Sequence, residues 1–325
     1  MTLTDLAVQN HASPMVLFFV LGLIAAFARS DLSVPESVAK FLALYLLMSI
    51  GFRGGAEVAH HGLTGQLMAT ILAGIALSFA IPPLAFVLLR ATTRLKPVDA
   101  AAVAAHYGSI SAVTFAAVTG ALNLLSLPFE GYMVAVAAAM ETPAIMSALG
   151  LARPHRAPSA LSNGHSVWRE VLLNGSVVIL LGAFVVGMIT GGRGLATLKP
   201  FLIDLFPGFL CLFLLDMGLV AGRGLKNGRQ HMSPALVLFA VVMPLIGASI
   251  AAVLSLAIGL SVGGTAVFMT LAASASYIAV PAALRLALPE ANPAISLTMS
   301  LGVTFPFNLM LGIPLYIAVA SMITR

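Results

Sequence analysis

The chain has 325 residues, of which 60% are hydrophobic and only 8% carry a charge. Roughly a quarter of the residues in a soluble domain are charged, so this chain has too few to cover a water-facing surface. The net charge of +5 comes from short loops, which argues against a nucleic-acid surface, and a single cysteine, Cys211, excludes disulfides and cysteine-rich metal sites. The composition predicts an all-α integral membrane protein.

Ten apolar runs are each long enough to cross a hydrocarbon core of roughly 30 Å. The first twelve residues contain no Lys or Arg, so the first run is interpreted as a span and not as a signal peptide. In chain order the predicted spans are residues 14–30, 36–52, 66–91, 98–122, 131–150, 171–191, 198–221, 234–258, 264–288 and 292–322.

The longest polar stretch between spans divides the chain into two halves of five spans. We expect a first repeat over residues 1–151, a cytoplasmic loop over 152–170 and a second repeat over 171–325. Because five is odd, the second repeat would be inverted relative to the first. If the N-terminus is outside, twelve of the sixteen Lys and Arg residues lie on the cytoplasmic side. This distribution predicts that both termini are outside.

Short sequence matches between the halves support the repeat. One match sets Gly51 over Gly218, and another sets the proline after Glu141 over the proline after Thr304. The matched segments are residues 46–55 with 214–223, 109–117 with 276–284, and 140–144 with 303–307.

The fourth and ninth predicted spans carry small hydroxyl residues in the middle of apolar runs. Residues 106–114 read HYGSISAVT, and residues 274–281 read SASYIAVP. Gly and Pro weaken a helix, and matching broken helices in two halves are typical of a midplane binding site. The N-terminal ends of half-helices favour anions. The expected substrate ligands are Gly108, Ser109, Ser111, Thr114, Ser274 and Ser276. The alternative interpretation is ordinary packing, since small residues let membrane helices approach closely.

Ionisable residues inside a membrane are costly unless they are paired or functional. Glu141 lies in the fifth predicted span, where a carboxylate can bind a coupling cation or carry a proton. His106 is expected either to relay protons or to make a hydrogen bond between helices. His60 and His61 are expected in a loop, without further metal ligands.

The sequence lacks a nucleophile elbow, a phosphate loop, an HExxH helix and a CxxC pair. These motifs carry much of the known catalytic chemistry of hydrolases, nucleotide-driven pumps and metalloenzymes. We therefore expect a protein that is not an enzyme and needs no cofactor, apart from sodium as a possible coupling ion.

The chain resembles, over nearly its whole length, the sodium-dependent bicarbonate transporter family first described in cyanobacteria. The resemblance rests on residues 35–55, 105–117, 140–146, 212–218 and 272–293. It implies a ten-span inverted-repeat protein of the bacterial inner membrane, usually a homotrimer, with bicarbonate and sodium between the crossing fourth and ninth helices. It also implies a trimeric PII-like regulator on the cytoplasmic face.

The resemblance places the substrate motif on the serines of residues 108–111 and 274–276, and sodium at Glu141 and Ser276. Where family members carry an acidic residue after the second serine cluster, this chain has Tyr277. With Thr304, Glu141 and Tyr277 are the candidates for coupling-ion contacts. Losing a carboxylate removes a hard, charged oxygen ligand, which weakens the expectation of sodium coupling.

Three functions follow from these observations. The first is an ion-coupled importer of bicarbonate or another small anion. The second is a proton-coupled or facilitative carrier of small organic anions, with Glu141 as the proton carrier. The third is a membrane sensor that binds a PII-like regulator.

Overall fold

The computed structural model describes residues 13–62, 64–152, 175–228, 232–277, 280–281, 284 and 288–324. This part of the chain is built of helices joined by short connections and contains no strand. The helices are α1 (Pro14–Phe27), α2 (Glu36–His61), α3 (Gly65–Thr92), α4 (Pro97–Gly108), α5 (Ala112–Leu124), α6 (Met133–Ala152), α7 (Gly175–Lys199), α8 (Phe206–Gly228), α9 (Pro234–Ile258), α10 (Val262–Ala273) and α11 (Pro293–Ile323).

Eight helical segments of the described chain are long and apolar enough to cross a membrane, with α4 and α5 together counting as one segment, Pro97–Leu124. Two further helices are apolar but shorter, α1 with 14 residues and α10 with 12. The prediction of an all-helical, multi-span membrane protein is confirmed. The number of ten spans stays a prediction, since part of the ninth predicted span and most of the loop over 152–170 lie outside the described residues.

Several helices begin at a hydroxyl side chain that accepts a hydrogen bond from the first turn, the ordinary way of satisfying an exposed backbone N–H. Thr64 accepts from the backbone of Leu67 at 3.2 Å before α3, and Ser261 accepts from that of Gly264 at 3.0 Å before α10. A polar cap of this kind starts a helix cleanly at the edge of an apolar run.

The second span is longer than the sequence predicted, because the charge of Arg53 does not end it. Arg53 is half-buried with its guanidinium carbon 6.0 Å from the centre of the Phe206 ring, at the start of α8. A guanidinium stacks favourably on an aromatic face, which reduces the cost of its burial. α2 therefore continues to His61, and the prediction that His60 and His61 lie in a loop is wrong.

The helices form two pairs and two groups of three. α1 packs along α8 and α2 packs along α7, while α3 packs on α4 and α6, and α9 packs on α10 and α11. The first two pairs approach closely at glycines: a β-carbon at Gly218 would lie 2.1 Å from the carbonyl oxygen of Phe19, and one at Gly51 would lie 2.4 Å from that of Leu180. Small residues at such crossings let the backbones of membrane helices approach closely and pack against each other.

Candidate functional site

The fourth predicted span is interrupted where its hydroxyl residues lie. α4 ends at Gly108 and α5 begins at Ala112, with Ser109 and Ser111 both in extended backbone conformations. Ser111 caps α5, because its hydroxyl accepts a hydrogen bond from the backbone N–H of Thr114 at 3.2 Å. The sequence pattern thus located this break correctly.

The ninth predicted span is interrupted in the same manner at its first serine. α10 ends at Ala273, and Ser274 is extended with φ −79° and ψ 162°. The Ser274 hydroxyl donates to the carbonyl oxygen of Leu271 at 2.8 Å. Residues 278–279, 282–283 and 285–287 are outside the described chain, so the second half of this span is described only at residues 280–281, 284 and 288.

The two breaks meet inside the protein and are joined by hydrogen bonds. The backbone N–H of Ser111 donates to the Ser274 hydroxyl at 3.0 Å, and the backbone N–H of Ser276 donates to the carbonyl oxygen of His106 at 2.8 Å. The Nδ1 atom of His106 in turn donates to the carbonyl oxygen of Ser276. All four residues are buried. Of the two roles expected for His106, the structure shows the hydrogen bond between helical segments.

The His106 contact also determines which ring nitrogen carries the proton. A carbonyl oxygen only accepts, so Nδ1 must carry a proton. In the neutral form of the ring Nε2 is then an acceptor. The ring therefore fixes the relative position of the two breaks.

Gly108 and Ser109 connect the first break to its neighbouring helices. A β-carbon at Gly108 would lie 2.4 Å from Cγ of Pro82 in α3 and 2.9 Å from the β-carbon of Ala144 in α6. The Ser109 hydroxyl donates to the backbone carbonyl oxygen of Glu141, also in α6, at 3.2 Å. Gly108 thus allows close packing, and Ser109 ties the break to α6.

Glu141 and Thr304 were predicted as equivalent positions of the two repeats. The Glu141 side chain is buried, and no Lys, Arg or His nitrogen of the described residues forms an ion pair with it. The Thr304 hydroxyl donates to the carbonyl oxygen of Ala240 in α9 at 2.7 Å and therefore accepts from the Tyr107 hydroxyl, also at 2.7 Å. Glu141 thus contacts the first break through its backbone, and Thr304 contacts the end of α4 through its side chain.

Tyr277 lies directly after the second serine cluster with its ring edge against Phe305, the ring centres being 5.5 Å apart. Its hydroxyl is buried and makes no hydrogen bond with any described group, although the Ser111 side chain is close. An unpaired buried hydroxyl costs about 1–3 kcal/mol and calls for an explanation, such as an ion or water that completes its bonding.

Two residues of this region were missed by the sequence analysis, which considered ionisable residues and hydroxyl clusters alone. Asn308 donates from Nδ2 to the carbonyl oxygen of Ala273 at 2.8 Å and accepts from the Tyr316 hydroxyl at 2.9 Å. It satisfies the free carbonyl at the end of α10. Tyr107 binds Thr304 as described above. An amide in the middle of the last apolar run was the available signal for Asn308.

The site therefore lies where the two breaks meet inside the protein. It combines hydroxyl groups, backbone groups that are not bonded within a helix, and one carboxylate. The described residues hold no group of three His, Cys, Asp or Glu side chains that would bind a transition metal. The oxygen atoms of Glu141 and Ser276 are of the type that hard cations prefer.

Comparison with known proteins agrees with this architecture. No curated protein matches the chain. The family model described as the Na+-dependent bicarbonate transporter superfamily matches residues 14–321, which include both breaks and every predicted site residue. The chain therefore belongs to the Na+-dependent bicarbonate transporter superfamily.

Proposed function

We propose that the protein is a secondary active transporter that imports bicarbonate together with sodium, by alternating access around the two breaks. Family membership supports the ion class. The observation that carries the proposal is the junction between the breaks, in which Ser111 binds Ser274 and His106 binds Ser276. Broken helices that meet inside a membrane protein are the usual substrate site of inverted-repeat transporters.

An inverted repeat of ten spans is supported by the helix pairs. In such a repeat α1 corresponds to α7 and α2 to α8, so the pair α1–α8 corresponds to the pair α7–α2, and both pairs are present. The contacts of α3, α4 and α6 have counterparts in those of α9, α10 and α11. Gly51 and Gly218, matched by sequence, each face the backbone of the partner helix.

The anion is held by Ser109, Ser111, Ser274 and Ser276 at the N-terminus of α5. A helix N-terminus presents unpaired N–H groups and a positive dipole end to an anion. In this proposal the Tyr277 hydroxyl donates to the bound anion, which accounts for its lack of a partner within the described residues. Sodium binds at Glu141, whose carboxylate supplies the charged ligand that Tyr277 cannot.

The assembly belongs to the same proposal. The protein is a homotrimer in the bacterial inner membrane with both termini outside, and its cytoplasmic face binds a PII-like regulator. The resemblance to the cyanobacterial proteins supports the trimer and the regulator, and the distribution of Lys and Arg supports the orientation.

The test is uptake of radiolabelled bicarbonate into proteoliposomes, with and without an inward sodium gradient. We expect uptake that the gradient stimulates. Uptake of small carboxylates driven by a pH gradient and indifferent to sodium would favour the proton-coupled carrier. Ligand binding and capture of a PII-like protein without net flux would favour the sensor.

The site assignment has its own test. Ser276→Ala should abolish uptake while the protein is still present in the membrane. Ser249→Ala is the control and should leave uptake intact. Ser249 is exposed on α9, and its hydroxyl bonds only within its own helix, to the carbonyl oxygen of Leu245 at 2.8 Å. Unchanged uptake by the Ser276→Ala protein would contradict the assignment.

A further inference from the structure

A cavity of about 220 Å³ lies between α2 and α5, at the end of the molecule where α2 finishes. α2 contributes Arg53 and Glu57 to its lining, and α5 contributes Phe115, Thr119 and Asn123. In the proposed orientation this end faces the outside of the cell. The cavity is separate from the junction of the two breaks.

The lining runs from exposed to buried. Glu57 and Asn123 are exposed and form the mouth, and Arg53 is half-buried. Thr119 and Phe115 are only 5% and 3% exposed and form the deep end. A cavity that runs from exposed polar side chains to a buried aromatic ring has the form of an entrance vestibule.

The deep end points along α5 to the first break. Residues four apart lie on the same helix face, so Ser111 continues the face that Phe115, Thr119 and Asn123 present to the cavity. Phe115 is separated from Ser111 by four residues, which is about 6 Å along the helix axis. The vestibule therefore ends about one helical turn from the proposed anion ligands, with the Phe115 ring between them.

The charges of the vestibule are ordered by depth. Arg53 interacts electrostatically with Glu57, which lies four residues later and therefore one turn nearer the mouth. A second cavity of about 440 Å³ shares Glu57 and also contains Glu130, so the negative charges lie at this outer rim. The positive charge lies further in, where low-dielectric walls strengthen its field.

The geometry points to Arg53 as the residue that receives the anion from solution, with the Glu57 carboxylate as its built-in competitor. A guanidinium pairs bidentately with planar carboxylate groups. Bicarbonate carries the same planar O–C–O group as the Glu57 side chain, so the two compete for Arg53 before the anion passes Phe115. The identity of the anion rests on the proposed function, but the charge selection at Arg53 does not.

Transport kinetics give the first test. Arg53→Gln should raise KM for bicarbonate about tenfold with little change in kcat, because the contact at Arg53 is made before the transport step and changes only the capture of the anion. Glu57→Gln should lower KM several-fold, and Arg53→Lys should fall between wild type and Arg53→Gln. The control is Arg193→Gln, since Arg193 is exposed on α7 and lines neither cavity. An unchanged KM for Arg53→Gln, or a loss confined to kcat, would overturn the inference.

A second test does not depend on transport. Asn123→Cys, in a Cys211→Ala background, places a thiol at the mouth, and its rates of modification by small anionic and cationic thiosulfonates are compared. Arg53→Gln should lower the anionic-to-cationic rate ratio several-fold, and Glu57→Gln should raise it. If neither variant changes the ratio, the inference is wrong. If the ratio changes as expected but wild type takes up no bicarbonate, the anion entrance stands and the proposed substrate fails.

Discussion

The segment formed by α4 and α5 and the segment Val178–Asp204 in and after α7 are nearly equal in length, with 28 and 27 residues, and both are apolar enough to span a membrane. Their surroundings are opposite. In the first segment, 94% of the most apolar stretch is buried within the protein. In the second segment, 17% of the corresponding stretch is buried. Lipid tails are as apolar as a protein core, so hydropathy does not separate a helix at the centre of a membrane protein from one at its surface.

Small and hydroxyl residues distinguish the two segments. The buried segment has Gly108, Ser109 and Ser111 at its break, each in contact with another helix or with the second break. The exposed faces of α7 carry large side chains such as Ile189, which is 76% exposed. The same kind of substitution should therefore have very different consequences in the two segments.

The largest difference is expected for one added methyl group. Gly108→Ala places a β-carbon 2.4 Å from Cγ and 2.6 Å from Cδ of Pro82, and the rigid proline ring has no rotamer by which to move away. Overpacking of this kind typically costs 1–3 kcal/mol, and we expect about 3 kcal/mol here. Thermal unfolding of the purified protein in detergent measures the loss.

Gly182→Ala in α7 is the matched control, since no atom lies within 4 Å of its added β-carbon. Alanine has the higher helix propensity, by about 1 kcal/mol in water, so the control should retain or gain stability. Equal losses in the two variants would mean that the contrast between the buried and the exposed segment is not one of packing.

An intermediate effect is expected at the junction of the breaks. Ser274→Ala removes the oxygen that accepts the Ser111 backbone N–H at 3.0 Å and leaves that N–H buried without its partner. Such a group costs about 1–3 kcal/mol, and we expect about 2 kcal/mol together with loss of uptake. Thermal unfolding and proteoliposome uptake, measured on the same preparation, check both parts.

Ser249→Ala should change neither stability nor uptake appreciably, because the Ser249 hydroxyl is exposed and binds a carbonyl oxygen of its own helix. If Ser274→Ala behaved in the same way, the bond between the breaks would be incidental to the fold.

The sequence predicted those features that depend on local composition. Apolar runs located the helices, and the hydroxyl cluster with Gly108 located the first break, because these signals lie within a few neighbouring residues. The partners across the break were not predictable in this way. Asn308 reaches the end of α10 from 35 residues away, and Tyr107 reaches Thr304 from 197 residues away. The true length of α2 also depended on a distant group, the Phe206 ring beneath Arg53.

No loss of stability is expected at Tyr277, and this separates ligand binding from packing most clearly. Tyr277→Phe removes a hydroxyl that has no partner among the described residues, so the free energy of unfolding should rise, by up to about 1–3 kcal/mol, while KM for bicarbonate also rises. Tyr107→Phe is the matched variant: it removes the bond to Thr304 at 2.7 Å and should cost about 1 kcal/mol.

Thermal unfolding and uptake kinetics of both tyrosine variants decide between two roles for the Tyr277 hydroxyl. If the hydroxyl is merely left over from packing, its removal would leave KM unchanged. If it donates to the anion, its removal raises KM without a loss of stability, since its partner is present only when substrate is bound. A loss of stability as large as that of Tyr107→Phe would instead mean that Tyr277 is bonded within the fold, and the proposed donor to the anion would have to be sought among the serines of the two breaks.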